Sequence, residues 1–124
     1  MGEGSIESYR DLRVWQEAMR LAEDCYRLSG AFPRREMFGL SSQLRRAAVS
    51  VPANIAEGYG RDTKGSYVQF LKVAQGSLKE LETHLLLAQR LEFGSSEAID
   101  SALERGAALG RMLRSLIRSV ERSS

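Results

Sequence analysis

The sequence contains 124 residues, of which 43% are hydrophobic and 27% are charged, and its formal net charge is +2 at pH 7. These values are typical of one globular domain. The single cysteine, Cys25, excludes an internal disulfide, and no apolar stretch approaches the roughly 20 residues that span a bilayer, so we expect a cytoplasmic protein with no membrane segment.

Helical periodicity dominates the sequence pattern. The only prolines are Pro33 and Pro52, and apolar residues recur every three or four positions through long proline-free stretches. The sequence therefore predicts an all-α fold. We expect a flexible N-terminal tail at residues 1–8 and one helical domain at residues 9–122, with helices at about 11–30, 37–58, 63–92 and 96–120.

The first predicted helix begins near Asp11, whose carboxylate can cap the free amides of the first turn. Trp15 is the largest side chain of an apolar seam on this helix, and we expect it to be a core residue whose indole N–H finds a partner on the second helix. The seam comprises Leu12, Trp15, Met19, Ala22, Tyr26 and Ser29. A break that contains Pro33 follows at residues 30–35.

The second predicted helix carries an apolar stripe and, on a neighbouring face, a ladder of polar side chains. The stripe comprises Leu40, Leu44, Ala47, Val51 and Ile55, and the polar ladder comprises Gln43, Arg46, Ser50, Asn54 and Glu57. The ladder has two interpretations. It seals a helix–helix contact or a subunit interface, or it forms a binding surface with Glu57 as a candidate catalytic carboxylate.

Pro52 lies inside this second helix. Because proline lacks an N–H, we expect a kink and a freed Ala48 carbonyl, which Ser50, Asn54 or a neighbouring chain can satisfy. Gly58 and Gly60 are expected to end the helix, since glycine takes the left-handed conformation of a C-terminal cap without steric cost.

The third predicted helix begins at Asp62 or Thr63 and keeps a regular seam of the kind found in helix bundles. The seam comprises Leu71, Ala74, Leu78, Leu81, Leu85 and Ala88, and more surface outside it comes from Phe70, Val73, Ser77, Leu86 and Leu87. A second apolar face indicates oligomerisation, and a wide core face in a monomer is the alternative. His84 is the only histidine and has no neighbour at ligand spacing, so we predict no metal site.

The fourth predicted helix begins at Ser95 or Ser96, which can cap its first turn. Gly106 and Gly110 weaken a helix relative to alanine, so we expect them to allow close approach of a neighbouring backbone. The inner seam comprises Ile99, Leu103, Gly106, Leu109, Leu113, Leu116 and Val120.

Another face of the fourth helix carries an arginine stripe, which consists of Arg111, Arg114, Arg118 and Arg122. Residues 105–124 contain five arginines and one glutamate, a net charge of +4, so the basic character is local. Guanidinium groups match phosphate oxygens and stack on bases, which favours nucleic-acid binding. A solvated helix face is the alternative. Arg45, Arg46 and Arg61 are predicted contributors to the same binding.

Three stretches carry a family resemblance: DLRVWQEA at residues 11–18, FGLSSQLRRAAVSVPANIAEG at residues 38–58 and GSLKELE at residues 76–82. Through them the chain resembles the four-helix bundle proteins encoded by intervening sequences of 23S ribosomal RNA genes. The resemblance extends over about residues 9–91 and weakens in the last helix. It implies a small antiparallel bundle that assembles as a pentameric ring and has no known enzymatic activity.

A more distant resemblance is to the accessory variability protein of diversity-generating retroelements. That protein is a basic pentameric barrel that works with a reverse transcriptase and its template RNA. We therefore expect an antiparallel up-down-up-down four-helix bundle, a nonenzymatic homo-oligomer without cofactors, that binds structured RNA through the arginine stripe. The alternative is a scaffold that recruits a partner protein such as a reverse transcriptase, and an enzyme that uses Glu57 ranks third.

Overall fold

The computed structural model describes residues 5–123, and within that range it contains four α-helices and no strand. The helices are α1, Arg13–Ser29; α2, Leu40–Tyr59; α3, Lys64–Arg90; and α4, Ser96–Arg122. Short 3-10 helices at Tyr9–Asp11 and Arg34–Glu36 precede α1 and α2. The predicted all-α fold is confirmed. The first half of the predicted N-terminal tail, residues 1–4, lies outside the described residues.

The four helices form an up-down-up-down bundle. α1 packs against α2 and α4, and α3 packs against the same two helices. Within residues 5–123, the diagonal pairs α1 with α3 and α2 with α4 make no close backbone contact. Since each connection is short, consecutive helices run antiparallel, and the start of each helix lies beside the end of the next.

The core is built from the apolar stripes of the central helices. All five residues of the predicted α2 stripe and all six of the predicted α3 seam are buried. In α4 the buried face is turned slightly from the predicted seam, so that Ala102 and Ile117 are buried while Leu103, Leu116 and Val120 lie at the edge of the core. A rotation of this size is expected because 3.6 residues per turn do not match an exact seven-residue repeat.

The predicted seam of α1 is correct at Ala22 and Ser29, but elsewhere it is wrong by about one residue position. The side chains that α1 buries are Val14, Ala18, Leu21, Ala22, Cys25, Leu28 and Ser29. Trp15 and Met19 are half-buried, and Tyr26 is 47% exposed. Smaller side chains face the interior because the close-packed centre of the bundle has little room for large rings, and the larger side chains are left at the rim.

The start of α1 also differs from the prediction. Asp11 lies in the first 3-10 helix, where its carboxylate accepts hydrogen bonds from the backbone N–H groups of Glu7 and Ser8 at 2.9 and 3.2 Å. Asp11 therefore caps the segment before α1 and not α1 itself. Trp15 packs edge-on against Tyr9, with ring centroids 5.3 Å apart, and its indole N–H makes no hydrogen bond to the second helix within the described residues.

Helix α2 runs unbroken through the buried Pro52. The side-chain amide of Asn54 donates to the Ser50 carbonyl at 2.8 Å and to the Ser50 hydroxyl at 3.0 Å. The expectation that Ser50 or Asn54 would serve the freed Ala48 carbonyl is therefore wrong. The amide of Asn54 lies one helical turn beyond Ser50, so the Ser50 oxygens are the acceptors within its reach.

Gly60 is the C-terminal cap of α2, as expected, but the predicted left-handed conformation of this cap is wrong. Gly60 has right-handed dihedrals, φ −82° and ψ −1°, and Gly58 lies inside the last helical turn. A Cβ atom at Gly58 would lie 2.7 Å from the Cβ of Phe70. Gly58 is therefore needed because α2 and α3 approach each other closely there, and not because the chain turns.

Gly106 and Gly110 of α4 do not mark a close approach between helices. A Cβ atom at either position would meet side chains of α3 at 3.5 Å or more, which is ordinary van der Waals contact. The predicted close approach of a neighbouring backbone is therefore wrong at these positions. No helix of the described residues is long and apolar enough to cross a membrane.

Candidate nucleic-acid interface

The arginine stripe lies on the outer face of α4. All four of its side chains are exposed, and the buried face of the same helix points to α1 and α3. From Arg111 to Arg122 the stripe rises about 16 Å along the helix axis, because each residue adds about 1.5 Å. The stripe therefore presents four guanidinium groups in a line along one side of the bundle.

None of these four arginines has a carboxylate partner within residues 5–123. Only some of the other arginines are paired with a carboxylate within the described residues. Arg61 lies 2.7 Å from Glu57, and Arg105 joins α4 to Asp24 of α1 at 3.3 Å. The four unpaired cations repel one another, and this favours a surface whose partner is an anion outside the chain.

Charge changes sign along the outer face of α4. Glu97, Asp100 and Glu104 are exposed in its first half, and the arginine stripe follows in its second half. Carboxylates suit the positive N-terminal end of a helix and guanidinium groups suit its negative C-terminal end, so this order also stabilises the helix. The helix dipole acts only over the last turn or so, however, and Arg111 and Arg114 lie further from the end.

Lys64 and Lys72 extend the basic surface onto α3. Lys64 donates to the backbone carbonyl of Ser123, and the ammonium of Lys72 lies 3.9 Å from the Glu121 carboxylate. The sequence analysis missed both lysines because they stand some 50 residues before the stripe. The antiparallel order of consecutive helices was the available signal, since it places the start of α3 beside the end of α4.

Arg45, a predicted contributor, is held inside the chain. Its Nε donates to the Ser29 hydroxyl at 2.8 Å, and its Nη2 donates to the Tyr26 carbonyl at 3.3 Å. The guanidinium also lies 4.9 Å from the centroid of the Tyr26 ring. Arg45 thus links α2 to the end of α1, and two of its five N–H donors are used in these bonds.

Arg46 and Arg61 lie on surfaces different from that of Arg45. Arg46 is exposed on α2, which is diagonal to α4, so it does not join the stripe within one bundle. Arg61 pairs with Glu57 and lies 4.6 Å from the centroid of the Phe70 ring. It stands three residues before Lys64, at the end of the bundle where α4 finishes.

The polar ladder of α2 divides into two parts. The hydroxyl oxygens of Ser50 and Ser77 are 2.7 Å apart, which ties α2 to α3, and Asn54 is bonded back to Ser50. Gln43 is exposed, and its side chain makes no hydrogen bond within residues 5–123. The middle of the ladder thus serves a contact inside the chain, while its start faces outward.

The described residues contain neither a metal-binding cluster nor an activated thiol. Within the described residues, no group of three or more His, Cys, Asp and Glu side chains could hold a metal ion. Burial raises the pKa of the Cys25 thiol to about 12, with a smaller contribution from Asp24, so the thiolate is disfavoured near neutral pH. His84 is 12% exposed, and its Nε2 lies 3.5 Å from Glu80.

Apolar side chains outside the predicted α3 seam remain partly exposed in the single chain. Val73 is 42% exposed, Leu86 is 49% exposed and Leu87 is 45% exposed. Ser77 is instead used by the bond to Ser50. The bundle thus does not fully bury the wide apolar surface predicted for α3. The oligomer that this surface indicates stays a prediction.

Comparison with known proteins gave one matching family model and one described crystal structure with a similar fold. The family model of the 23S rRNA-intervening sequence protein matches residues 10–115. A crystal structure of a protein with unknown function, from the S23 ribosomal protein family of Bacteroides thetaiotaomicron VPI-5482, is similar with a TM-score of 0.75 and 23% identity. The match covers 84% of this chain and 97% of that chain, and at this identity it shows the fold alone. No curated protein gave a significant match.

Proposed function

This chain belongs to the 23S rRNA-intervening sequence protein family, and we propose that it is a nonenzymatic, homo-oligomeric cytoplasmic protein that binds structured RNA. The observation that carries the proposal is the arginine stripe, whose four exposed side chains have no carboxylate partner in the described part of the chain. Assembly as a pentameric ring, which the family resemblance implies, would repeat the stripe around the ring and strengthen its field.

RNA fits this surface better than a small anion. The stripe is a line of about 16 Å on an exposed helix face, and a line of cations matches a chain of phosphates. Guanidinium groups bind phosphate oxygens with two donors at once and also stack on unpaired bases. The described residues contain no strand, and therefore no sheet on which bases could stack, so backbone shape and charge are the expected basis of recognition.

Lys64, Lys72 and Arg61 would widen the same surface at the end of the bundle. Lys64 and Lys72 already contact the last turn of α4, and both lie on the α3 side of the stripe. A phosphate chain that follows the stripe toward Arg122 would meet these cations next. We assign them a supporting role because each already has a partner inside the chain.

The test is a fourfold Arg→Gln variant at 111, 114, 118 and 122, measured by fluorescence anisotropy with a labelled RNA stem-loop over a range of salt concentrations. Each lost phosphate contact lowers the steepness of log K against log salt by about 0.7–0.9, so we expect a total reduction of about 3. The affinity should fall most at low salt. The fold should persist, because the four side chains are exposed and glutamine is a good helix former.

A matched control carries the same loss of four charges at Arg20, Arg27, Arg35 and Arg90, which are exposed and do not belong to the stripe, and the last three of which lie toward the opposite end of the bundle. We expect its salt dependence to stay close to that of the unchanged protein. If both variants lose the same affinity, the binding reflects net charge alone, and the assignment to the stripe is wrong. Unchanged affinity in the stripe variant would also refute it.

The second candidate function is that of a scaffold that recruits a protein such as a reverse transcriptase. The partly exposed Val73, Leu86 and Leu87 on α3 favour it, because exposed apolar surface often marks protein contacts. A scaffold should retain a defined protein partner in pull-downs after nuclease treatment. Loss of all partners under nuclease would leave RNA binding as the better account.

A further inference from the structure

An unusually exposed aromatic side chain stands just before α2. Phe38 is 92% exposed and its neighbour Met37 is 52% exposed, and we call this pair the aromatic knob. Large apolar side chains rarely project so fully, since burying a phenylalanine removes on the order of 150 Å² or more from water. An adjacent pair at the tip of a connection is therefore a candidate contact surface.

The segment that carries the aromatic knob is held by several hydrogen bonds. The Glu36 carboxylate accepts from the N–H of Leu40 at 3.1 Å, and the Gly39 N–H donates to the Glu36 carbonyl at 3.0 Å. A Cβ atom at Gly39 would lie 2.8 Å from the Glu36 carboxylate, so a larger residue at this position would displace that carboxylate. A preorganised contact loses little conformational entropy on binding.

An apolar groove, which could accept an apolar side chain such as that of Phe38, lies between α1 and α2. Its floor is apolar and its volume is about 440 Å³, with Met19, Ala22 and Tyr26 contributed by α1 and Val49 and Pro52 by α2. Tyr26 and Val49 are 47% and 46% exposed. Met19 and Tyr26 belong to the predicted core seam of α1, but they lie at the rim of the bundle. Arg45 stacks on Tyr26, so the ring is already held in place.

The knob does not fill the groove of its own chain, because Phe38 remains 92% exposed. The hydrogen bonds of Glu36 fix the knob at the end of the bundle. Each copy of the chain nevertheless carries one knob and one groove, so a second copy supplies the missing occupant in equal number.

Charges beside the two surfaces also match. Two charged residues line the groove, and one of them, Arg27, is paired with Asp24 at 3.6 Å. The other, Glu23, is exposed and has no cationic partner within residues 5–123. Arg34 precedes the knob, is exposed and has no carboxylate partner within the same range. Opposite charges at the rim of an apolar contact favour one orientation of the two partners.

We propose that the aromatic knob of one copy packs into the α1–α2 groove of a second copy. The inference rests on the homo-oligomeric part of the proposed function and is independent of the arginine stripe. Because the two surfaces differ, each copy can bind one neighbour through its knob and another through its groove, and such a head-to-tail contact forms a ring when the rotation between copies closes.

The test compares Phe38→Ser, Val49→Arg and the unchanged protein by light scattering after size exclusion and by sedimentation. Phe38→Ser removes the knob, and Val49→Arg places a charged side chain in the groove. We expect each change to weaken self-association by at least about 30-fold, since a contact residue of this kind costs on the order of 2 kcal/mol or more when truncated. Ile6→Ser, a similar change at another exposed apolar side chain, should have no effect.

Mixing the two variants gives the sharper result. Phe38→Ser retains a groove and Val49→Arg retains a knob, so the mixture should form a one-to-one pair that neither variant forms alone. An oligomer that is unchanged by Phe38→Ser, or a mixture that stays monomeric, would overturn the knob-and-groove contact while leaving oligomerisation itself intact. A monomeric unchanged protein would refute the proposed oligomer as well, and RNA binding is measured separately.

Discussion

Arginine side chains of this chain have two roles that their exposure and partners distinguish. Arg45 uses its planar donor group to join a hydroxyl, a carbonyl and an aromatic ring across two helices. Arg111 and Arg114 are exposed and unpaired within the described residues. The first kind stabilises the fold, and the second kind is available to a partner.

A conservative change separates the two roles at neighbouring positions. We expect Arg45→Lys to lower the free energy of unfolding by about 1 kcal/mol, because lysine cannot keep both hydrogen bonds and the stacking on Tyr26. Arg46→Lys, one position later on an exposed face, should change it by less than about 0.5 kcal/mol. Urea unfolding followed by circular dichroism measures both, and equal stabilities would contradict the structural role of Arg45.

The helices show which features a sequence pattern can predict. The α2 stripe and the α3 seam were correctly predicted because their apolar residues recur along the helix at three- and four-residue spacing without a break. The α1 seam was wrong because that helix carries two apolar lines, and the pattern favoured the line with Trp15 and Tyr26. Packing against other helices decides between such lines, and a single sequence does not contain that information.

The same limit applies to the candidate site. The arginine stripe could be identified from spacing alone, because its members lie within four turns of one helix. The roles of Arg45 and Lys64 could not, since their partners are 16 or more residues away and depend on how the helices pack. The aromatic knob gave no sequence signal, because an exposed Phe38 and a buried one have the same pattern.

Glycine substitutions test the packing of the helices directly. We expect Gly58→Ala to lower the free energy of unfolding by about 1–3 kcal/mol, because its Cβ would overlap Phe70 and force α2 and α3 apart. Gly76→Ala is the matched control, since a Cβ there meets nothing within 4 Å, and it should raise stability by about 1 kcal/mol. Thermal unfolding measures the two changes, and a neutral Gly58→Ala would contradict the close helix contact.

At the scale of the whole molecule, antiparallel order brings separate basic residues together. The start of α3 and the end of α4 share one end of the bundle, where Lys64 and Lys72 contact the last turn of α4. The groove between α1 and α2 lies on a different side of the bundle. Assembly through the knob and groove and RNA binding through the stripe therefore use different surfaces, and one copy can do both.

The most direct measurement is native mass spectrometry of the gently purified protein, with the ratio of absorbance at 260 and 280 nm recorded before any nuclease treatment. The proposed function predicts a homo-oligomer that carries nucleic acid, and it predicts that the fourfold Arg→Gln change in the stripe removes the nucleic acid without dissociating the oligomer. A monomer free of nucleic acid would contradict both parts of the proposal.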